Sequence, residues 1–452
     1  MFGLCALCAA TAAALDEGAF VPPAPGELGP EAGAGIQRTM TLLATSTPQQ
    51  RHRVRILFYG QSITQQEWWR EVADDLRRRF PHADLTIENR AIGGFAAQML
   101  VRPAEHDLYP FYPDLVIFHV YGDHTKYEEL IASIRRRTTA EVAISNDHHT
   151  VLPVPPGNWE EKMSYELVPA IARKYGCYLM DIRTEWRRYL EANGLAPSAL
   201  LRDGVHLNEH GNYLLAELIK RRLVYNPALP DDAWRDMVRT YQVGTDLRWE
   251  GGRLVLEFEG NRVDAIAAAA EPRGPARVLI DGKKPSEFPE LYAITRPSGT
   301  ANIGWPAVTR VSYERPLILE TWTARITEIN DAADEFRFEV LGSRTGPDGS
   351  GASGERFVSA SGRVVIEPGD WCLAYDRRVS GKPTPAGFKT TWQVVPMFAD
   401  VYAPPAVEDP TREYATVLAQ GLTNERHTLE LIQQGNAAVP LRAIRVYRPP
   451  LR

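Results

Sequence analysis

The sequence predicts an α/β unit built on a five-stranded parallel sheet, followed by an all-β sandwich. Three observations carry this. Between about 52 and 225, short apolar runs alternate with segments of helical periodicity. The run Leu115–Tyr121 (LVIFHVY) is unbroken and apolar, which suits a strand buried on both faces. After Asn226 nearly every signal is a strand, with Leu254, Leu256 and Phe258 alternating with Val255, Glu257 and Glu259.

Element by element, Val54–Tyr59 reads as the first strand, and Gln66–Phe80 as a helix with Trp69, Val72, Leu76 and Phe80 at helical spacing. Leu85–Glu88 and Leu115–Tyr121 are the next strands. Lys126–Arg137 is helical, Glu141–Ser145 is a strand, Lys162–Tyr175 is helical and Cys177–Ile182 is the fifth strand. Two helices follow, near 184–193 and 208–222. Asp231–Tyr241 reads as a connecting helix. Val278–Ile280 runs into the turn pair Asp281-Gly282. Further strands are expected at 316–327, 335–341, 363–367, 371–375, 390–397, 427–432 and 441–447, with Gly342–Glu355 as a flexible loop. The expected organisation is a signal-peptide-like segment over 1–16 and a Pro/Gly/Ala-rich lead-in over 17–50. The α/β unit spans 51–225, a linker with a helix 226–246, and the β-sandwich 247–452.

Composition narrows the function. The chain has 452 residues, 44% of them hydrophobic and 24% charged, which is ordinary for a globular protein. With 51 basic and 57 acidic residues and a net charge of −6, no basic field for nucleic acid is expected. No apolar run reaches the ~20 residues of a membrane-spanning helix. Cys5 and Cys8 lie in the apolar start, which leaves Cys177 and Cys372 as expected buried thiols.

Four segments stand at strand ends, where open parallel sheets bind ligands. Tyr59-Gly60-Gln61-Ser62 closes the first strand and puts Ser62 at a helix N-terminus, where free N–H groups can hold an oxyanion. Asn89-Arg90-Ala91-Ile92-Gly93-Gly94 ends the second strand with a glycine pair that allows close backbone approach. Tyr121-Gly122-Asp123-His124 ends the third. Asp203 and His206 are three apart on one loop, so the carboxylate can orient the imidazole. A fifth cluster, Ser145-Asn146-Asp147-His148-His149, follows the fourth strand. Asn146 and His148 are candidate substrate contacts there. The adjacent His and Asp lack a metal-ligand spacing, so no metal and no cofactor is expected.

Taken in order, these blocks over about 52–223 resemble the SGNH hydrolase superfamily, the GDSL-type esterases. The resemblance implies a flavodoxin-like three-layer α/β/α fold and ester hydrolysis, often of acetyl esters on carbohydrate. It places Ser62 as nucleophile, His206 as general base and Asp203 as its orienting acid. Gly94 matches the oxyanion-hole glycine, and Asn89, the asparagine that opens its block, is a further candidate substrate contact. Two departures stand out. Gln61 precedes the serine where the family usually has Asp. The family's Gly-x-Asn is here Gly122-Asp123-His124. His124 is favoured for the oxyanion place because a neutral imidazole can donate and an ionised carboxylate cannot; Asp123 is the alternative. The β-half, with Trp249, Trp305, Trp322, Trp371 and Trp392, loosely resembles jelly-roll modules attached to carbohydrate esterases. The implied substrate is an acetylated poly- or oligosaccharide, and the implied location secreted or periplasmic. Two other functions stay open: a hydrolase of small acyl esters or thioesters, and a non-catalytic glycan-binding protein on a degenerate esterase scaffold.

Overall fold

A computed structural model describes residues 20–26, 28–230, 236–299, 305–385 and 387–452. The signal-like segment at 1–16 therefore lies outside the described residues. Five parallel strands form the first sheet: β1 (Arg53–Gly60), β2 (Asp84–Asn89), β3 (Leu115–His119), β4 (Glu141–Ser145) and β5 (Tyr178–Met180). Their order is β2-β1-β3-β4-β5, the flavodoxin-like order expected. Side chains of β1 alternate across the sheet. Val54, Ile56 and Phe58 enter one apolar layer with the helices Trp68–Arg79, Ile182–Asn193 and Glu209–Lys220. Leu57 and Tyr59 enter the other with the helix His124–Arg137. The order reverses between β1 and β3, so their carboxyl ends open a crevice.

The lead-in contains more structure than its composition suggests. Gln37–Ala44 is a helix whose Met40 and Leu43 join the first apolar layer. The buried Glu141 carboxylate caps its start, accepting from the N–H groups of Arg38 and Thr39 at 2.8 Å each.

The β-half holds two six-stranded antiparallel sheets, each with its own apolar cluster. One runs 401–402, 276–280, 415–433, 253–267, 441–447, 238–242. The other runs 298–299, 389–396, 321–329, 336–342, 346–352, with 292–294 as its sixth strand, also paired to 389–396. Three expectations are corrected. The segment expected to bear a helix at 231–241 has Val238–Gln242 as an edge strand on Leu441–Tyr447; residues 231–235 lie outside the described residues. An open sheet edge outweighs a weak local preference. The expected strand 371–375 is instead the start of a helix, Leu373–Ser380, with Leu373 buried in the second β cluster. The glycine-rich loop at Gly342–Glu355 contains a paired strand, Gly346–Ala352. There Gly351 lets the rings of Phe338 and Phe357 lie where a side chain would be. Among the described residues, no helix is long and apolar enough to cross a membrane. Cys177 and Cys372 are free thiols.

The β-half is bonded to the α/β unit along a polar seam. Arg296 grips the buried Asp107 carboxylate with Nε at 2.7 Å and also donates to the Arg90 carbonyl at 3.0 Å. Asn261 accepts from the Tyr112 hydroxyl and donates to the Arg137 carbonyl, both at 2.8 Å. His106 is buried between the halves. Its Nδ1 lies 2.9 Å from the Ile294 carbonyl, and its Nε2 accepts from the Val311 N–H at 3.1 Å. Only the neutral ring satisfies both bonds. Burial, with Arg296 and Arg310 nearby, holds its pKa down to about 4 from 6.5.

Between those two pH values the unfolded chain binds the proton that the folded chain refuses. Stability then rises with pH, and is lost as pH falls from about 6.5 toward 4. The His106 share is on the order of 3 kcal/mol at the lower end. Melting curves recorded from pH 7 to 4 are expected to show this slope. His106→Gln is expected to flatten it by about one proton, with His149, lowered to about 4 mainly by burial, keeping a residual slope.

Candidate active site

Ser62 opens a single helical turn, Ser62–Gln65, straight after β1. Gly60 makes this turn possible: a Cβ there would lie 2.2 Å from both the His119 carbonyl oxygen and the Thr64 hydroxyl. The N–H of Ser62 stands in the first turn, outside the intrahelical ladder, as a donor at the crevice.

Asp203 and His206 lie on a tight loop closed by the Arg202 N–H on the His206 carbonyl at 2.7 Å. Asp203 Oδ1 accepts from the N–H groups of Val205 at 2.9 Å and His206 at 2.7 Å. Its Oδ2 lies 3.0 Å from His206 Nδ1. Those two backbone donors, aided by the imidazole, hold the Asp203 carboxyl well below the usual carboxylate range. On its other side His206 Nε2 lies 3.0 Å from Ser62 Oγ. The structure thus joins the three sequence-predicted residues in one hydrogen-bonded chain.

Gln66 fixes the gap across which that chain closes. Its amide donates to the Leu207 carbonyl at 2.8 Å and accepts from the Leu207 N–H at 3.0 Å. The residue four places after Ser62 is thereby paired with the residue next to His206. Sequence reasoning missed it, since a lone Gln at the start of a helix carries no signal of its own.

The glycine pair lies beside Ser62. Gly94 has φ +77°, the left-handed region. A Cβ on Gly93 would lie 2.5 Å from Gln65 Oε1. A Cβ on Gly94 would lie 3.0 Å from the Tyr375 hydroxyl and 3.2 Å from the Trp305 ring. Both aromatic residues come from the β-half. The Trp305 indole N–H donates to the Gly93 carbonyl, and the Tyr375 hydroxyl donates to the Gly94 carbonyl at 2.8 Å. Their rings meet edge to face at 5.2 Å. Trp305 stands apart from the other four tryptophans of the β-half. Trp322, Trp392, Trp371 and Trp249 pack into the two β clusters. Nothing local distinguishes Trp305 or Tyr375, because their partners are backbone carbonyls more than 200 residues away.

Asn89, Asn146 and His148 are placed differently from the substrate contacts expected. Asn89 donates to the Thr64 carbonyl at 2.6 Å and accepts from the Ala91 N–H at 3.0 Å, tying the glycine turn to the Ser62 segment. Asn146 is buried between Asp181 and the Arg183 N–H, both at 2.9 Å. His148 is buried against the Val205 carbonyl. Polar side chains at strand ends here satisfy buried backbone groups, which must be paired.

The two candidates for the missing oxyanion asparagine separate. Asp123 caps the helix His124–Arg137, accepting from the N–H groups of Thr125 at 2.8 Å and Lys126 at 3.1 Å. These bonds, with that from the Thr125 hydroxyl, hold its carboxyl below the ordinary value and commit it to the helix. His124 is exposed, its ring 5.9 Å from that of Trp159.

Arranged this way, the site can pass a proton from Ser62 to His206 while backbone donors receive charge on an attacked carbonyl. Tyr375→Phe keeps the ring and removes one bond to the glycine turn. At about 1 kcal/mol for that bond, turnover of p-nitrophenyl acetate is expected to fall about fivefold with little change in melting temperature. Gly94→Ala forces a side chain into a left-handed position against two rings. It is expected to lower turnover by about 100-fold.

No family model and no curated protein matches the chain. Among solved structures it is similar to a two-domain esterase (CEX) active on acetylated mannans, co-crystallised with mannopentaose. The identity is 15%, with 93% of this chain and 96% of that one covered and a TM-score of 0.37. It is also similar to Axe2, an acetylxylan esterase from Geobacillus stearothermophilus, at 16% identity over 40% of this chain and 97% of that one, TM-score 0.35. A third is the acetyl xylan esterase AlAXEase, at 21% identity over 38% of this chain and 100% of that one, TM-score 0.34.

Proposed function

We propose that the chain is a serine esterase that removes acetyl groups from carbohydrate through an acyl-enzyme intermediate. The single observation that carries this is the unbroken chain from Ser62 Oγ to His206 Nε2 at 3.0 Å and from His206 Nδ1 to Asp203 Oδ2 at 3.0 Å. His206 takes the hydroxyl proton as Ser62 Oγ attacks the ester carbonyl. Asp203 keeps the imidazole in the tautomer whose Nε2 is free to accept, and stabilises the imidazolium that forms. We assign the N–H groups of Ser62 and Gly94 to the developing oxyanion, with His124 as the third donor. His206 returns the proton to the leaving sugar oxygen. Water, deprotonated by the same ring, then frees acetate and restores Ser62.

Two features support a short acyl group on a sugar. Trp305 and Tyr375 crowd the glycine turn and leave little room beside it for a long chain. Exposed rings at the carboxyl ends of the strands, Tyr121 and Trp159, offer flat apolar faces of the kind that pack on pyranose rings.

Ser62→Ala is expected to abolish release of acetate from acetylated mannan or xylan while the circular dichroism spectrum stays unchanged. Full activity in that variant excludes the mechanism. The wild-type chain is expected to turn over p-nitrophenyl acetate at least tenfold faster than the octanoate, and a preference for octanoate excludes the acetyl assignment.

A further inference from the structure

Behind the acid–base loop runs a second line of ionisable groups that the mechanism above does not use. It starts at the nucleophile. The Thr64 hydroxyl donates to the His119 carbonyl at 3.2 Å, and Gly60 lies so close to that carbonyl that no Cβ fits. The nucleophile turn therefore rests on the peptide of His119, the last residue of β3. The His119 ring points on to the segment after β4, where its Nε2 lies 3.2 Å from Asp147 Oδ1. The same oxygen lies 2.9 Å from His148 Nδ1. His148 then turns its Nε2 to the Val205 carbonyl at 2.9 Å. Val205 stands between Asp203 and His206. Its carbonyl shares a peptide with the His206 N–H, which Asp203 already holds, so that peptide is gripped at both ends.

We propose that His119, Asp147 and His148 form a buried relay that holds the nucleophile turn and the acid–base loop in register. All three are then positioning residues for the esterase reaction. The inference rests on the serine-esterase reading. Its physical grounds are burial and aim. His119 and His148 are buried, and the ring of Trp186 stands 5.3 Å from that of His148. Three ionisable groups in such a place are a poor source of stability, since apolar side chains of similar volume would hold a core equally well. What apolar groups cannot supply is a donor aimed at one carbonyl. Charge sharpens that aim. Burial opposes the charge on both groups, yet the His148 and His119 rings hold the Asp147 carboxyl well below its usual range. The Asp147 carboxylate holds His148 above its own. His148 Nε2 is aimed at the Val205 carbonyl, while Nδ1 stands 2.9 Å from Asp147 Oδ1 as an ion-pair contact. Gln66 grips the neighbouring Leu207 peptide from the opposite side, so the relay and Gln66 together leave the loop little freedom.

The test compares His148→Leu, which removes the donor, with His148→Gln, whose amide nitrogen reaches the same distance as Nε2. Three quantities are read on the full chain: the rate at which a fluorophosphonate labels Ser62, kcat and KM for p-nitrophenyl acetate, and the melting temperature. A displacement of the loop by an ångström costs on the order of 100-fold in rate. His148→Leu is therefore expected to slow labelling and kcat by 10- to 100-fold with KM within twofold, and His148→Gln to recover most of the loss. If labelling and kcat in His148→Leu match the wild type, the relay is overturned. It is equally overturned if both variants lose activity only in proportion to a lowered melting temperature. Where the leucine chain does not fold, Asp147→Asn takes its place, since it keeps the shape and removes the charge between the rings. Failure of the wild-type chain to label at Ser62 overturns the esterase reading itself, and the relay with it.

Discussion

The hydrogen bond between His206 Nε2 and Ser62 Oγ joins residues 144 apart in sequence, and most of the structure can be understood as what keeps it at 3.0 Å. A side chain at the end of β1 must meet one from a loop that precedes the helix Glu209–Lys220. The doubly covered sheet makes the meeting possible, because it brings the carboxyl ends of all five strands to one edge. Proximity of elements fixes a position only to within a side chain's reach. The remaining freedom is removed by short polar contacts aimed at backbone. Gln66 pairs with the Leu207 peptide, Asp203 binds two N–H groups of its own loop, and His148 holds the Val205 carbonyl. Backbone is the effective target. A peptide cannot change rotamer, so a bond to it transmits position instead of absorbing it.

The same logic explains why the β-half belongs to the site. An oxyanion donor works only if its N–H points at the charge that develops. In a loop that carries two glycines the peptides are free to rotate. Trp305 and Tyr375 remove this freedom by holding the carbonyls of Gly93 and Gly94 from outside. The polar seam of Arg296, Asn261 and His106 then has a second consequence beyond joining the halves. It sets where the two rings stand relative to Ser62.

The sequence makes the triad legible because two of its members are local. Asp203 and His206 sit three apart in a loop, and a serine after an apolar run supplies the third. The parallel sheet is legible for a similar reason, since each strand announces itself by its own apolar run. What the sequence left illegible has a cause of the opposite kind. Asn89, Asn146 and His148 read as substrate contacts because they are polar and stand at strand ends. Whether such a side chain faces a ligand or a buried peptide is decided by distant chain segments, such as the loop of Val205 for His148. Trp305 and Tyr375 are illegible by the same rule. Val238–Gln242 and Gly346–Ala352 became strands because a neighbouring edge was free to pair with them. The choice between Asp123 and His124 was open in sequence, and a helix cap narrows it: a carboxylate already accepting two N–H groups serves the helix.

The Asp203 and His206 side chains are 48% and 33% exposed, so the charges of the triad face water. In water an ion pair at 3 to 4 Å is worth about 1 kcal/mol, and several times more once solvent is displaced. Exposure also explains why Asp203 needs its two backbone donors. They fix its orientation, which solvent would otherwise blur. A triad left open in this way reaches full strength only when something covers it. Under the proposed function, the saccharide substrate is what covers it. On that proposal the substrate serves as the lid, excluding water at the moment the imidazolium forms. A small free ester covers less of the loop and leaves the charges solvated. Under the proposed function, an open triad is therefore better matched to a polymer than to a small molecule, on electrostatic grounds that do not depend on the identity of the sugar.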